Sequence, residues 1–158
     1  MDLKTEQAVW SRVKGTVGMT AEEAVLPERL EGLILQEQAD AAALRELSRR
    51  MGGQGRGDLT RIANETAARA RELTALHYLL TGRRLRVKTP NRPIKGPLPE
   101  ALRELCLRLE QTGKSYAGLE QEFSERADLF GRCARQSRKQ ADLLLSQLKN
   151  QLLRQSEK

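Results

Sequence analysis

The 158-residue chain is poor in aromatic residues, which make up 3% of it, and it contains one histidine and two cysteines. Cys106 and Cys133 alone provide neither a disulfide framework nor a four-cysteine zinc site. No uncharged apolar run reaches the ~18 residues of a transmembrane helix, and the N-terminus lacks the apolar segment of a secretory signal. We therefore expect a cytoplasmic protein with reduced thiols and no membrane contact.

The chain is rich in Leu, Ala, Glu, Arg and Gln, which favour helices, and poor in β-branched residues. Apolar residues recur in steps of three and four over four long segments, the spacing of a helix with one buried face. The predicted fold class is all-α. We expect helices at about 27–51, 58–81, 99–123 and 125–155, after an N-terminal extension of residues 1–26 that carries a short helix around Trp10.

The connections between these segments predict the topology. Short joints at 52–57 and near Ser124 make two antiparallel helical hairpins. Three prolines exclude a helix from the crossover at 82–98. Sixteen extended residues span roughly 50 Å, whereas a 24-residue helix is roughly 36 Å long. The crossover can therefore run the full length of a bundle, which predicts a four-helix bundle of two hairpins joined by a long crossover loop.

The crossover also carries most of the excess positive charge. Six basic residues and no acid lie in it, and they account for all but one of the net charges of +7. They are Arg83, Arg84, Arg86, Lys88, Arg92 and Lys95. No aromatic side chain is interleaved with them to stack on bases. We expect a solvated connector, with weak anion or nucleic-acid binding as the alternative.

Each predicted helix interrupts its apolar stripe near the middle. The interruptions form a predicted buried polar layer of Glu37, Asp40, Thr66, Arg69, Thr112, Ser137 and Gln140. A buried polar group without a hydrogen bond costs about 1–3 kcal/mol, so a polar layer in a core indicates a site or the remains of one. The guanidinium of Arg69 has five donors, and we expect it to join Glu37, Asp40, Thr66 and Gln140 in one network. The alternative is a small-ligand pocket lined by Arg69.

The segments LEGLILQEQADAAALRELSRR and LTRIANETAARARELTALHYLLTG resemble the first two helices of the rubrerythrin-like branch of ferritin-like proteins. LRELCLRLEQTGKSY and FGRCARQSRKQADLLLSQL resemble the third and fourth. The resemblance covers about residues 28–150. It implies a ferritin-like bundle in which helices 1 and 3 each supply a Glu, helices 2 and 4 each supply Glu-x-x-His, and the six ligands hold two iron atoms.

Most of these ligand positions are substituted in this chain. The resemblance places Glu37 at the acid of helix 1, the single ligand-equivalent that is retained. The five substituted positions are Thr66, Arg69, Leu109, Ser137 and Gln140. The only histidine, His77, lies two turns beyond Arg69, roughly 12 Å along the helix. No register assembles the family's ligands, so the resemblance implies a degenerate di-iron site without metal.

These observations predict a non-catalytic ferritin-like protein with a structural or partner-binding role. We expect no catalytic residues and no cofactor, and either a homodimer or an unidentified protein partner. The alternative from the same family is a rubrerythrin-like iron-binding or redox protein, which would hold iron or manganese at an atypical site around Glu37 and Asp40.

Overall fold

The computed structural model describes residues 21–86 and 94–157, with side chains from residue 24 onward in the first helix. These residues form helices α1 (Ala21–Arg49), α2 (Gly53–Thr81), α3 (Leu98–Glu122) and α4 (Ala127–Ser156), with a single 3₁₀ turn at Ser124–Arg126. No strand forms within the described ranges, which confirms the all-helical class. Trp10, Lys88 and Arg92 lie outside the described residues.

Two helix ends lie where glycine and proline predicted them. Gly82 adopts the left-handed conformation, with φ of 68°, and its N–H donates to the carbonyl oxygen of Tyr78 at 2.7 Å. Such a left-handed residue ends many helices because it satisfies a terminal carbonyl. Pro99 lies in the first turn of α3, where its missing N–H removes no hydrogen bond.

The start of α1 differs from the prediction. Within the described residues the helix already begins at Ala21, and Pro27, the predicted first residue, lies inside it. Leu26 is fully buried in the core. The last residues of the predicted extension therefore belong to the bundle, because burial of Leu26 outweighs the hydrogen bond that proline removes from the helix.

The start of α2 also differs, because most of the predicted glycine-rich loop is helical. The helix begins at Gly53, so Asp58 is not an N-cap but a buried residue five positions inside it. Asp58 accepts a hydrogen bond of 2.8 Å from Nε2 of Gln147 on α4. A Cβ on Gly55 would lie 3.1 Å from Oε1 of the same glutamine. Close packing of α4 against this turn stabilises a helix that glycine content alone disfavours.

The four helices pack as two hairpins placed side by side. α1 packs against α2 and α3 against α4, while α1 also lies beside α3 and α2 beside α4. Arg50, just after α1, donates to the carbonyl oxygen of Gly96, just before α3, at 2.8 Å. At the opposite end, Arg29 of α1 forms an ion pair with Glu122 of α3. α1 and α3 are thus antiparallel, and α2 runs parallel to α3.

The core consists of two apolar clusters, one toward each end of the bundle. The first cluster contains Leu44, Leu47, Leu59, Ile62, Leu102, Leu105, Leu109 and Leu144. The second contains Leu26, Leu30, Ile34, Leu73, Tyr116, Leu119, Phe123 and Phe130. Within the crossover, Leu85 packs on the second cluster and Ile94 belongs to the first. The connector therefore passes from one end of the bundle to the other.

Among the described helices, none combines the length and the apolar character that crossing a membrane requires. The described basic residues of the crossover, Arg83, Arg84, Arg86 and Lys95, are exposed.

The contact between α3 and α4 predicts opposite outcomes for two substitutions at Gly113. A Cβ there would lie 3.6 Å from both the carbonyl oxygen of Ala134 and Cβ of Ser137, an ordinary contact distance. Gly113→Ala should therefore raise the free energy of unfolding by about 0.5–1 kcal/mol through helix propensity. Gly113→Leu should lower it by about 1–3 kcal/mol by overpacking. Urea unfolding measures both, and Gly118→Leu, which meets open space, is the control.

Candidate functional site

All seven residues of the predicted polar layer are buried. Glu37, Asp40, Thr66 and Ser137 are 0% exposed, and the other three members are at most 3% exposed. Glu37 and Arg69 come from the facing helices of the first hairpin, and Gln140 comes from α4. The layer separates the two apolar clusters, so its polar atoms depend on one another rather than on bulk water for hydrogen bonds.

A bidentate ion pair between Arg69 and Glu37 occupies the centre of the layer. Nε of Arg69 donates to Oε2 of Glu37 at 2.5 Å, and Nη2 donates to Oε1 at 3.0 Å. The planar guanidinium matches the carboxylate in this arrangement, which is the strongest form of the arginine–carboxylate interaction. Both oxygens of Glu37 are therefore engaged by one neighbouring side chain.

Side chains from the other helices complete the coordination of this pair. The hydroxyl of Tyr116 on α3 donates to Oε2 of Glu37 at 2.8 Å. Nη1 of Arg69 donates to Oε1 of Gln136 at 2.9 Å and to Oε1 of Gln140 at 2.7 Å, and Nη2 lies 3.5 Å from Oγ1 of Thr66. All four helices thus contribute to one hydrogen-bonded network.

The electrostatics of the network keep both its arginine and its tyrosine protonated. Burial acts to lower the pKa of Arg69, but the hydrogen bonds and negative charge of Glu37 more than offset this, so the pKa rises. Burial, followed by the charge of Glu37, raises the pKa of Tyr116 well above its usual range. The layer therefore holds a fixed cation and an uncharged phenol at neutral pH.

The amide groups of two glutamines link this core to a partly exposed carboxylate. Nε2 of Gln136 and Nε2 of Gln140 lie 3.2 Å and 3.3 Å from Oε2 of Glu65. The other oxygen of Glu65 is 3.8 Å from Nε of Arg61, which is mainly exposed. Charge thus alternates from Glu37 through Arg69 and the amide dipoles to Glu65 and Arg61.

Asp40 does not belong to the network of Arg69, contrary to the sequence prediction. Its Oδ2 lies 3.4 Å from Nε2 of Gln36, and its Oδ1 lies 3.5 Å from Nη1 of Arg108 on α3. Burial raises the pKa of Asp40 to about 6, and the nearby Arg108 limits that rise. The buried carboxylates on α1 therefore have separate partners on different helices.

Three further positions that the sequence singled out contribute no hydrogen bond to the network. Oγ of Ser137 is buried and has no hydrogen-bond partner among the described residues. Thr112 lines a surface groove between α1 and α3. Leu109 belongs to the first apolar cluster. Of the predicted layer, the network thus joins Glu37, Thr66, Arg69 and Gln140. Asp40 instead contacts Arg108, and Thr112 and Ser137 are buried outside the network.

Sequence reasoning did not assign Gln136, Glu65 or Tyr116 to the polar layer. A signal for Gln136 was available, because Gln136 and Gln140 are four residues apart and therefore neighbours on one helix face. A buried tyrosine hydroxyl ordinarily finds an acceptor, which marks Tyr116 as a candidate partner of Glu37. Nothing in the sequence alone pointed to Glu65, because its side chain is rotated about 100° around the helix from that of Thr66 and lies outside the predicted layer.

The cysteines and the histidine lie apart from the layer's centre. Cys106 and Cys133 are free thiols in different apolar clusters, and burial raises the pKa of each to about 11. Nε2 of His77 lies 2.9 Å from Oε1 of Glu31, while its buried Nδ1 has no partner among the described residues. High thiol pKa values make neither cysteine a good nucleophile at neutral pH.

The residues of the layer do not fit a di-iron site. Two iron ions need several carboxylates and imidazoles, whereas the layer's centre offers one carboxylate whose oxygens are bound by Arg69 and Tyr116. A guanidinium beside these oxygens also repels a metal cation. Residues 21–86 and 94–157 contain no group of three or more His, Cys, Asp or Glu residues placed to hold a metal ion.

A scan against protein-family models and searches of the curated proteins and the solved structures return no match. The chemistry of the layer follows from its own residues. That chemistry is mutual neutralisation of buried charge, with no exposed nucleophile, acid or base at the centre.

The central ion pair predicts a large loss of stability when one partner is removed. Arg69→Ala leaves the carboxylate of Glu37 buried with only Tyr116 as a donor, so we expect the free energy of unfolding to fall by about 3–5 kcal/mol. The double variant Arg69→Met, Glu37→Leu removes both charges and should recover much of this loss. Chemical denaturation measures all three proteins. An unchanged stability in Arg69→Ala would contradict a buried pair.

The raised pKa of Asp40 predicts a specific pH dependence. The folded state binds this proton more tightly than the unfolded state, because the pKa rises from 3.8 to about 6 on folding. As the pH rises from about 4 to about 6, the contribution of Asp40 to the free energy of unfolding should therefore fall, by up to about 3 kcal/mol. Asp40→Asn should flatten this change, measured as unfolding free energy against pH. Glu104→Gln, which removes an exposed partner of Arg108, is the control and should retain it.

Proposed function

We propose that this chain is a ferritin-like four-helix bundle of the rubrerythrin-like kind in which an internal ion pair has replaced the metal centre. It has no catalytic activity of its own and serves as a structural or partner-binding protein. The observation that carries this proposal is the bidentate contact between Arg69 and Glu37. The arginine takes the position of an expected histidine ligand and neutralises the retained acid.

The helix directions support the ferritin-like part of this proposal. α1 and α2 form one antiparallel hairpin, α3 and α4 form another, and α2 runs parallel to α3. A crossover anchored by Leu85 in one cluster and Ile94 in the other joins the hairpins. One long crossover between two hairpins is the arrangement that distinguishes ferritin-like bundles from bundles with short loops throughout.

The surroundings of the ion pair support the loss of the metal. Thr66 and Gln140, at two expected ligand positions, lie around the guanidinium and contact it through oxygen atoms. Tyr116 of α3 donates a further hydrogen bond to Glu37. The guanidinium of Arg69 therefore occupies the position at which the family would hold metal cations, and oxygen atoms of Thr66 and Gln140 contact it.

The iron-binding alternative is less well supported by the same contacts. An atypical site at Glu37 and Asp40 requires the two carboxylates to share a ligand. Glu37 instead faces Arg69 and Tyr116, whereas Asp40 faces Gln36 and Arg108.

A cytoplasmic location is part of our proposal because buried free thiols such as Cys106 and Cys133 persist in reducing compartments. The proposed partner is another protein or a second copy of this chain.

Restoring the family's ligands tests the proposal directly. The quintuple variant combines Thr66→Glu, Arg69→His, Leu109→Glu, Ser137→Glu and Gln140→His around the retained Glu37. If the register is right, this variant should bind two iron ions per chain and, after aerobic loading, absorb light as an oxo-bridged di-iron site. Metal content and absorption spectra of the purified proteins give the result.

The unaltered protein, purified without a histidine tag, is the matched control and should contain no stoichiometric iron or manganese. Stoichiometric metal in this control would support the iron-binding alternative instead. A quintuple variant that retains its helical circular dichroism but binds no iron would show that the assigned register is wrong.

A further inference from the structure

A groove on the surface between α1 and α3 lies outside the network of Arg69. Three of the residues that line it, Arg29, Arg108 and Lys114, are cationic, and no acidic residue is among the described residues of its lining. The carboxylates that pair with its arginines are Glu122 at one end, and Glu104 and Asp40 at the other. Both arginines are thus paired with carboxylates, and Lys114 is the cation of the lining that has no ion-pair partner among the described residues.

Two glycines provide the space within this groove. Gly32 of α1 and Gly118 of α3 both line it, and a Cβ built on either residue meets no atom within 4 Å. Leu33 and Leu119 add apolar surface beside them. Glycine inside an exposed helix is unfavourable by about 0.5–1 kcal/mol relative to alanine, and here no close packing requires it. The space left by the two glycines therefore lies beside the apolar residues of the groove.

A nearly buried hydroxyl marks the polar section. Thr112 is 3% exposed and lines the groove, yet its side chain forms no hydrogen bond with any other described residue. Helical threonines commonly donate to the carbonyl oxygen one turn earlier, as Thr60 and Thr74 do in α2. The hydroxyl of Thr112 is consequently available to a ligand, one helical turn from Arg108 on α3.

We infer that this groove binds a small organic anion, with its carboxylate or phosphate at Thr112 and a short alkyl part over Gly32 and Gly118. Lys114, which also lines the groove, adds a positive charge without an ion-pair partner among the described residues, Arg108 contributes N–H donors beside its own carboxylate partners, and the threonine hydroxyl supplies a hydrogen bond. Thr112 and Gly118 are six positions apart on α3, a rise of roughly 9 Å along the helix axis, which is comparable to the length of a chain of about seven or eight carbons. The inference is independent of the ferritin-like proposal, because none of these contacts involves Arg69.

The test titrates the full-length protein, labelled with ¹⁵N, with octanoate and with octyl phosphate below their micelle concentrations. Amide shifts near Gly32, Thr112 and Gly118 should move and saturate for at least one of the two, and comparison of the two distinguishes the anionic group. Octanol, acetate and inorganic phosphate should bind at least about tenfold more weakly, since each lacks one half of the recognised chemistry. Absence of saturable shifts with both octyl anions would overturn the inference.

Two variants locate the binding, each with a matched control. Gly118→Leu fills the groove without changing charge and should weaken binding at least about tenfold, whereas Gly57→Leu, in an equally open helical position, should not. Lys114→Gln should weaken binding about threefold to tenfold. Lys139→Gln, at an exposed position of α4, should leave binding unchanged. Gly32→Leu replaces Gly118→Leu if the latter does not fold. Unchanged affinity in the groove-filling variant, or octanol binding as tightly as octanoate, would contradict the assigned site.

Discussion

The bidentate contact between Arg69 and Glu37 is the interaction on which the rest of the bundle depends. A charge buried at this depth is tolerated only when a partner and further hydrogen bonds compensate its loss of water. The compensation comes from Tyr116 on α3 and Gln140 on α4, so every helix has a polar group that must lie at the same height. Sliding any helix by one turn would leave a buried charge without one of its partners. The layer therefore specifies the register that the apolar clusters alone would leave less sharply defined.

The sequence predicted much of the architecture because both relevant signals were local and periodic. Four apolar stripes identified four helices, and the mid-stripe polar positions identified residues that are all buried. The pairing of Arg69 with Glu37 followed from charge complementarity within one hairpin. The start of α2 could not be predicted in this way, since its glycine-rich turn is helical because Gln147 of α4 packs against Gly55 and donates to Asp58.

The separation of Asp40 from Glu37 shows why shared burial does not imply shared partners. Residues three apart on a helix differ in direction by about 60°, even though both belong to one stripe. This rotation directs Glu37 toward Arg69 of α2 and Asp40 toward Arg108 of α3. Arg108 also lines the α1–α3 groove, so Asp40 lies next to this surface groove rather than within the central network. The two acids thus belong to chemically different parts of the protein.

The most direct test of this account is side-chain NMR of the Arg69 guanidinium in the full-length protein. If Nε of Arg69 donates to buried Glu37, its N–H proton should exchange with water orders of magnitude more slowly than that of an exposed arginine such as Arg135, and Glu37→Gln should alter both its chemical shift and its protection. A resonance that exchanges as fast as that of Arg135, or that is unaffected by Glu37→Gln, would contradict the central ion pair.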